Sequence, residues 1–379
     1  MSSKGLRLME VKDTMNIVVF VGNGFDIALG FKTGYPQFLR WWCEQNENHI
    51  DENLKCSLYD LKQTLLRRQL RGERFWSDLE MSLGEIDYSQ FKSVNGNIKE
   101  LPLAIIPSLT LLGSDLAVYL EQIQERFCIP DDMRCDAKSI FLSSMINSIA
   151  PSFKGAFLPK RIALKFVTLN YTDSIEKIVS VGEENTVMVS GQSISVCVEA
   201  IMHVHGSLKG NLCFGLDNMK QFTGTQLNNV QYEQCKQICK RFAVDNNLIR
   251  EAESAIGMAD LVVTFGVSWG ATDQSWWQFL AKYLMGEHSR ICDCPYSSNI
   301  DLFPRYQLTD GLRNRVASRI LRAMFGCSQL CDCMLAHQLA ERVFCAPLEE
   351  RNFSGVSILP GDYFGLSAIS RMLSSQTIQ

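Results

Sequence analysis

Residues 16–22 (Asn-Ile-Val-Val-Phe-Val-Gly) form an unbroken apolar run that ends in glycine. Such a run predicts a strand buried on both faces of a parallel sheet. Similar runs at 163–169, 186–189, 200–204 and 261–266 predict four more strands. Between the first two strands the period changes. Leu54, Leu58, Leu61 and Leu65, and later Leu112, Leu116, Tyr119 and Ile123, recur at helical spacing. These stripes predict a helical insertion of about 120 residues, at about 41–160. After the fifth strand, Trp276, Phe279, Leu280, Tyr283 and Leu284 keep helical spacing, as a crossover returning over the sheet requires. The sheet is expected to end there. From about 288 onward the chain is rich in Cys and Arg and reads as helical. The expectation is an α/β chain with a Rossmann-type parallel sheet at 16–285, interrupted by the insertion, and a helical Cys-rich region at 286–379.

Composition narrows the partners. With 379 residues, 46% of them hydrophobic and 21% charged, the chain has ample material for a core and no sign of disorder. Net charge is -4 and the 37 basic residues are dispersed, so direct nucleic-acid binding is not expected. The one basic cluster, Arg67, Arg68, Arg71 and Arg74, reads as a solvated helix face. No apolar run approaches the roughly 20 residues that cross a bilayer, and the first 25 residues lack the order of a secretory signal. The chain is therefore expected to be cytoplasmic, with no membrane partner and its 14 cysteines reduced.

Four segments carry candidate chemistry. In Gly22-Asn23-Gly24-Phe25-Asp26 a buried strand stops and a helix is expected to begin at Asp26. Glycines there let a phosphate approach the backbone and the helix start, though a plain tight turn with Asp26 as N-cap has the same residues. Asn170, in Thr168-Leu169-Asn170-Tyr171-Thr172-Asp173, follows the second strand and can orient a ribose or a water. Asp173 and Glu176 also read as a capping box. In His203-Val204-His205-Gly206 both histidines are expected in one strand on one face, with His205 the site residue because Gly206 permits close approach. Gly266-Val267-Ser268, followed by Asp273, offers a second small-residue turn. His288, Cys292, Cys294, Cys327, Cys331, Cys333 and His337 are numerous enough for zinc. Cys-x-Cys is not the usual knuckle and diverges on a helix, so buried thiols and no metal are expected.

Taken in order, the four segments resemble a sirtuin-type NAD-binding core. More closely, Gly22-Asn23-Gly24-Phe25-Asp26-Ile27-Ala28 with Thr33 and Tyr35, Trp76-Ser77-Asp78-Leu79-Glu80, Asn170-Tyr171-Thr172-Asp173, His203-x-His205-Gly206 and Phe214-Gly215-Leu216-Asp217 resemble the AbiH abortive-infection family, over about 16–285. The resemblance implies a sirtuin-like fold, a role in phage defence and a nucleotide ligand, NAD being bound and hydrolysed at its N-glycosidic bond. It implies that Asn170 and His205 are catalytic, His205 as base, and that Gly22, Asn23, Gly24, Asp26, Asp173, Gly266 and Ser268 bind the nucleotide. Leu169 stands where sirtuins usually carry Gln, Asp173 lies three residues after Asn170 instead of two, and no zinc ribbon is recognisable. Protein deacylation is accordingly not expected. A non-catalytic NAD or ADP-ribose sensor is the alternative, and a phage-derived trigger, a partner protein and homo-oligomerisation are left open.

Overall fold

A computed structural model describes residues 13–45, 52–72, 76–87, 101–153, 158–210, 212–224, 245–286, 289–294, 322, 339, 342–345, 351–353, 356–358 and 364–374. Strands β1 (Thr14–Val21), β2 (Arg161–Thr168), β3 (Glu184–Val189), β4 (Gln192–His203), β5 (Leu261–Phe265), β6 (Ile291–Cys294) and β7 (Val343–Cys345) make one sheet in the order β3-β4-β2-β1-β5-β6-β7. All neighbours are parallel except the β3–β4 hairpin. The fold is mixed α/β. β1 is central because it is apolar on both sides. Ile17, Val19 and Val21 pack under α6 (Asp131–Ile149) and α10 (Leu366–Ser374), through Phe141, Met145 and Ile369. Val18 and Phe20 pack under α8 (Asn246–Gly257) and α9 (Gln274–Leu284), through Ile256, Trp277 and Leu280.

The stripes between β1 and β2 do form helices. These are α2 (Tyr35–Cys43), α3 (Glu52–Leu70), α4 (Trp76–Glu85) and α5 (Leu101–Glu125), after a short α1 (Gly24–Ala28). Leu58, Leu61, Leu65, Leu79, Leu83, Leu112 and Leu116 meet Tyr35, Phe38 and Trp42 in a second core. Each fully buried leucine contributes about 1.5–3 kcal/mol, so this core holds the insertion together with the segment that leads into it. Tyr171, Leu208, Leu212 and Phe214, which follow β2 and β4, pack against the same core. The insertion therefore lies against the loops at the carboxyl edge of the sheet. In α4, the Gly84 carbonyl accepts from the N–H groups of Thr223 and Gly224, and a Cβ on Gly84 would stand 2.2 Å from the Gln221 carbonyl oxygen.

Three expectations fail locally. The sheet does not end at β5: Ile291-Cys292-Asp293-Cys294 is buried on both faces and continues it, so the region after 288 is not simply helical. Cys292 and Cys294 consequently share one face and sit in the apolar core instead of diverging around a helix. His288, Cys327, Cys331, Cys333 and His337 lie outside the described residues. The sheet is also not wholly parallel. Ser190 and Gly191, at φ 49° and 82°, turn β3 back onto β4, because two positive φ values match the twist of a two-residue hairpin. Among the described residues no helix is long and apolar enough to cross a membrane.

Candidate functional site

Val21, Thr168, His203 and Phe265 end β1, β2, β4 and β5 side by side. β2 and β4 lie on one side of β1, and β5 to β7 on the other, so the switch in strand order falls between β1 and β5. Open α/β sheets bind ligands in the crevice at such a switch. Two glycine turns meet there. Gly22 donates to the Phe265 carbonyl at 2.9 Å, and Gly24 donates to that of Gly266 at 3.0 Å. A Cβ on Gly22 would lie 2.6 Å from the Gly266 oxygen, and one on Gly266, whose φ is +64°, 2.6 Å from the Gly24 Cα. Close approach of the two turns is thus one reason for glycine at these positions, independent of any ligand. The helix begins at Gly24, not at Asp26, and Asn23 precedes it without capping it. The Asn23 side chain instead binds Thr33, accepting from its hydroxyl at 2.8 Å and donating to its carbonyl at 3.1 Å.

Asp26 points inward from α1. Its carboxylate accepts from the hydroxyls of Thr172 at 2.7 Å and Ser174 at 2.6 Å, just beyond β2. Burial pushes this carboxyl from 3.8 up to about 6, with the two hydroxyls, the charge on His203 and Asn170 opposing the rise. Asn170 stands beside it. The Asn170 main chain is tied, its N–H donating to Thr168 Oγ1 at 3.0 Å. Its side-chain Nδ2 is buried and makes no hydrogen bond of good geometry among the described residues, although it lies close enough to the Asp26 carboxylate to help lower that group's pKa. A poorly satisfied buried amide is costly, so each instance calls for an explanation.

The two histidines separate. β4 ends at His203, and the chain turns at 204–205, with Gly206 at φ +78°, so the pair does not share a strand face. His203 Nδ1 is 2.9 Å from the Asn170 carbonyl oxygen and Nε2 is 2.7 Å from Glu176. His205 is buried and its Nε2 lies 3.1 Å from Asp273, also buried, in the turn before α9. Such a carboxylate orients an imidazole and stabilises it when protonated. The ring of Tyr171 is 6.4 Å from that of His205, and burial, then the charges of Glu80 and Asp273, hold its phenol well above the ordinary value. The Asp273 turn is itself anchored, since Gln221 donates to the Ala271 carbonyl at 2.8 Å and Ser275 donates to Asp217.

The structure thus brings together Gly22, Gly24, Gly266, Asp26 and Asn170, with His205 alongside. Asp173 is turned elsewhere, toward Lys209 at 2.8 Å and Lys177 at 3.4 Å. It occupies the N-cap position of α7 (Ser174–Ile178) without a side-chain capping bond, and Glu176 reaches His203, so no capping box forms. Ser268 is exposed. Thr172, Ser174, Glu176 and Asp273 join the site only through the fold, and of these Asp273 alone carries a sequence signal, its place after the second glycine turn. A cavity of about 350 Å³ opens elsewhere, lined by Phe31, Lys32, Arg126, Phe127 and Ser370, and contains neither Asn170 nor His205. No three His, Cys, Asp or Glu side chains are grouped to hold a metal among the described residues.

Residues 18–292 match the family described as Bacteriophage abortive infection AbiH. The chain belongs to this family, and membership points to an anti-phage abortive-infection role. No curated protein matches the chain.

Proposed function

We propose that the chain, a member of the AbiH family, acts in abortive infection by binding NAD at the carboxyl edge and cleaving its N-glycosidic bond. The observation that carries this reading is the buried His205–Asp273 pair on the same edge as the buried, poorly satisfied Asn170 amide. A carboxylate-oriented imidazole and an under-used buried donor on one sheet edge suit a small polar substrate better than a purely structural edge. The likeness to sirtuin-type cores is part of this proposal; the strand switch at β1 and β5 is a feature of open α/β sheets in general.

In the proposed reaction, the bond between nicotinamide and ribose C1′ breaks and its electron pair leaves with nicotinamide. Water adds to C1′, giving ADP-ribose, and the proton released goes to His205 or to solvent. Asn170 Nδ2 would donate to the ribose or the incoming water. The Asp26 carboxylate, when ionised, would favour the positive charge developing on the ribose. Asp273 would stabilise the imidazolium. Gly22, Asn23, Gly24, Gly266 and Ser268 would border the pyrophosphate, and Asp173 would lie at the rim. The insertion against this edge would keep bulk solvent from the ribose while leaving room for the one reacting water.

The test incubates pure protein with NAD and follows nicotinamide release, alongside cellular NAD after infection. Release that disappears in Asn170→Ala and His205→Ala, with melting temperature unchanged, is the expected result. NAD bound but never consumed would make the chain a sensor, and absence of both binding and release would end the NAD reading.

A further inference from the structure

We infer that His203 is a positioning residue: as a doubly protonated imidazolium it clamps the Asn170 main chain to Glu176 and so holds the Asn170 carboxamide in the site. Its kinetic consequence rests on the NAD reading, but the clamp itself does not.

The argument starts from donors and acceptors. Asn170 is the second residue beyond β2, where the ladder no longer fixes the chain. Its N–H is held by Thr168 Oγ1 at 3.0 Å and its carbonyl by His203 Nδ1 at 2.9 Å. The other nitrogen, Nε2, lies 2.7 Å from the Glu176 carboxylate. A carbonyl oxygen and a carboxylate oxygen only accept. A neutral imidazole carries one N–H and would turn a lone pair on one of these oxygens, whereas an imidazolium donates to both. The surroundings favour that charge. Glu176 faces His203 from α7 and Asp173 from the N-cap position before it, and Asp26 acts on it electrostatically from α1, while Lys177 and Lys209 share the charge of Asp173. Burial, the largest single influence, works against the imidazolium, but the hydrogen bond and charge of Glu176, the Asn170 carbonyl and the charge of Asp173 together outweigh it and raise the His203 pKa.

Deprotonation therefore removes one arm of the clamp. The remaining N–H serves the stronger acceptor, the Glu176 carboxylate, so the Asn170 carbonyl loses its donor and the Asn170 side chain its setting beside Asp26. His203 thus contributes an alkaline limit to turnover. On the NAD reading His205 serves as base and His203 as clamp, so two histidines two residues apart have different tasks.

Two substitutions separate the arms. The amide nitrogen of His203→Asn reaches the place of Nδ1 and can still donate to Asn170, while that of His203→Gln reaches the place of Nε2 and serves only Glu176. His203→Asn is expected to keep kcat within about threefold of wild type and to lose the alkaline limb. His203→Gln is expected to lower kcat by about 10–100-fold with little change in KM, the loss that follows removal of one charge-assisted hydrogen bond. Equal losses in the two variants, or an alkaline limb that survives in His203→Asn, would overturn the inference. The second readout needs no turnover: the Asn170 side-chain amide NMR signal, assigned by its absence in Asn170→Asp, should move with His203 titration in the wild-type protein. Coupling without NAD cleavage would retire the NAD reading and leave the clamp standing. Cleavage without coupling would do the reverse.

Discussion

At the carboxyl edge, the turns after β1 and β5 meet through backbone, and those after β2 and β4 work through side chains. In the first half Gly24 donates to Gly266 at 3.0 Å, and neither Gly22 nor Gly266 has room for a Cβ. In the second, Thr172 and Ser174 hold Asp26, His203 holds Asn170, and His205 meets Asp273. A backbone contact sets the spacing of two strands and tolerates no added atom. A side-chain contact can be altered one group at a time while the strands stay put. The first half should therefore answer to mutation in stability and the second in chemistry.

The largest effect is expected at Gly266. An alanine there would need a strained positive φ and would press its Cβ against the Gly24 backbone at 2.6 Å. Gly266→Ala should cost more than about 4 kcal/mol, in the exceptional range for one substitution, and urea unfolding or simple loss of soluble protein will show it. A variant of wild-type stability would mean that the turns can separate, and the contrast between the halves would be lost.

His205 comes next. On the NAD reading, His205→Ala should lose about 100- to 10,000-fold in rate, the usual worth of a general base, with its melting temperature close to wild type. Asp273→Asn should lose less, because the imidazole keeps a hydrogen-bonding neighbour without the charge that stabilises its protonated form. Equal melting temperatures make the comparison sharp, whereas a large drop in either variant would assign the pair to the fold.

The smallest effect is expected at Asp26, where stability and chemistry overlap. Its folded carboxyl titrates near 6 and its unfolded one near 3.8, so the folded protein holds the extra proton between those values. Ionised Asp26 thus destabilises the fold above pH 6, and the cost fades as the pH falls toward 3.8. His203 acts in the same direction, its contribution being present below its ordinary value and lost as the pH rises through the higher folded one. Asp26→Asn removes the first of these terms. The unfolding free energy of the variant relative to wild type should improve by up to about 3 kcal/mol between pH 4 and pH 7.5. A difference that does not vary with pH would show that Asp26 is neutral throughout or already ionised at little cost.

Much of the frame is legible locally. The run at 16–22 marks β1, whose Val18, Phe20 and Val21 are buried from both sides, and the stripe Leu58, Leu61 and Leu65 marks α3. Asn170 and His205 are readable as edge residues because each follows a buried run. β6 shows no period because it has only four residues, and the hairpin at Ser190-Gly191 is hidden because Gln192 and Ser193, which open β4, are polar and exposed.

What the sequence determines by itself is whatever repeats within one element: burial on both faces, a helical stripe, a glycine where a strand stops. These depend on the period of the local backbone, so neighbours in sequence suffice to show them. Partners across elements are different. Asp273 belongs to His205 because β5 lies on the far side of β1 and its turn comes back over the edge. Glu176 belongs to His203, and not to a helix cap, because α7 is laid against the end of β4. Those pairings follow from strand order and from helices packing on both faces at once, and only the assembled tertiary structure contains that information.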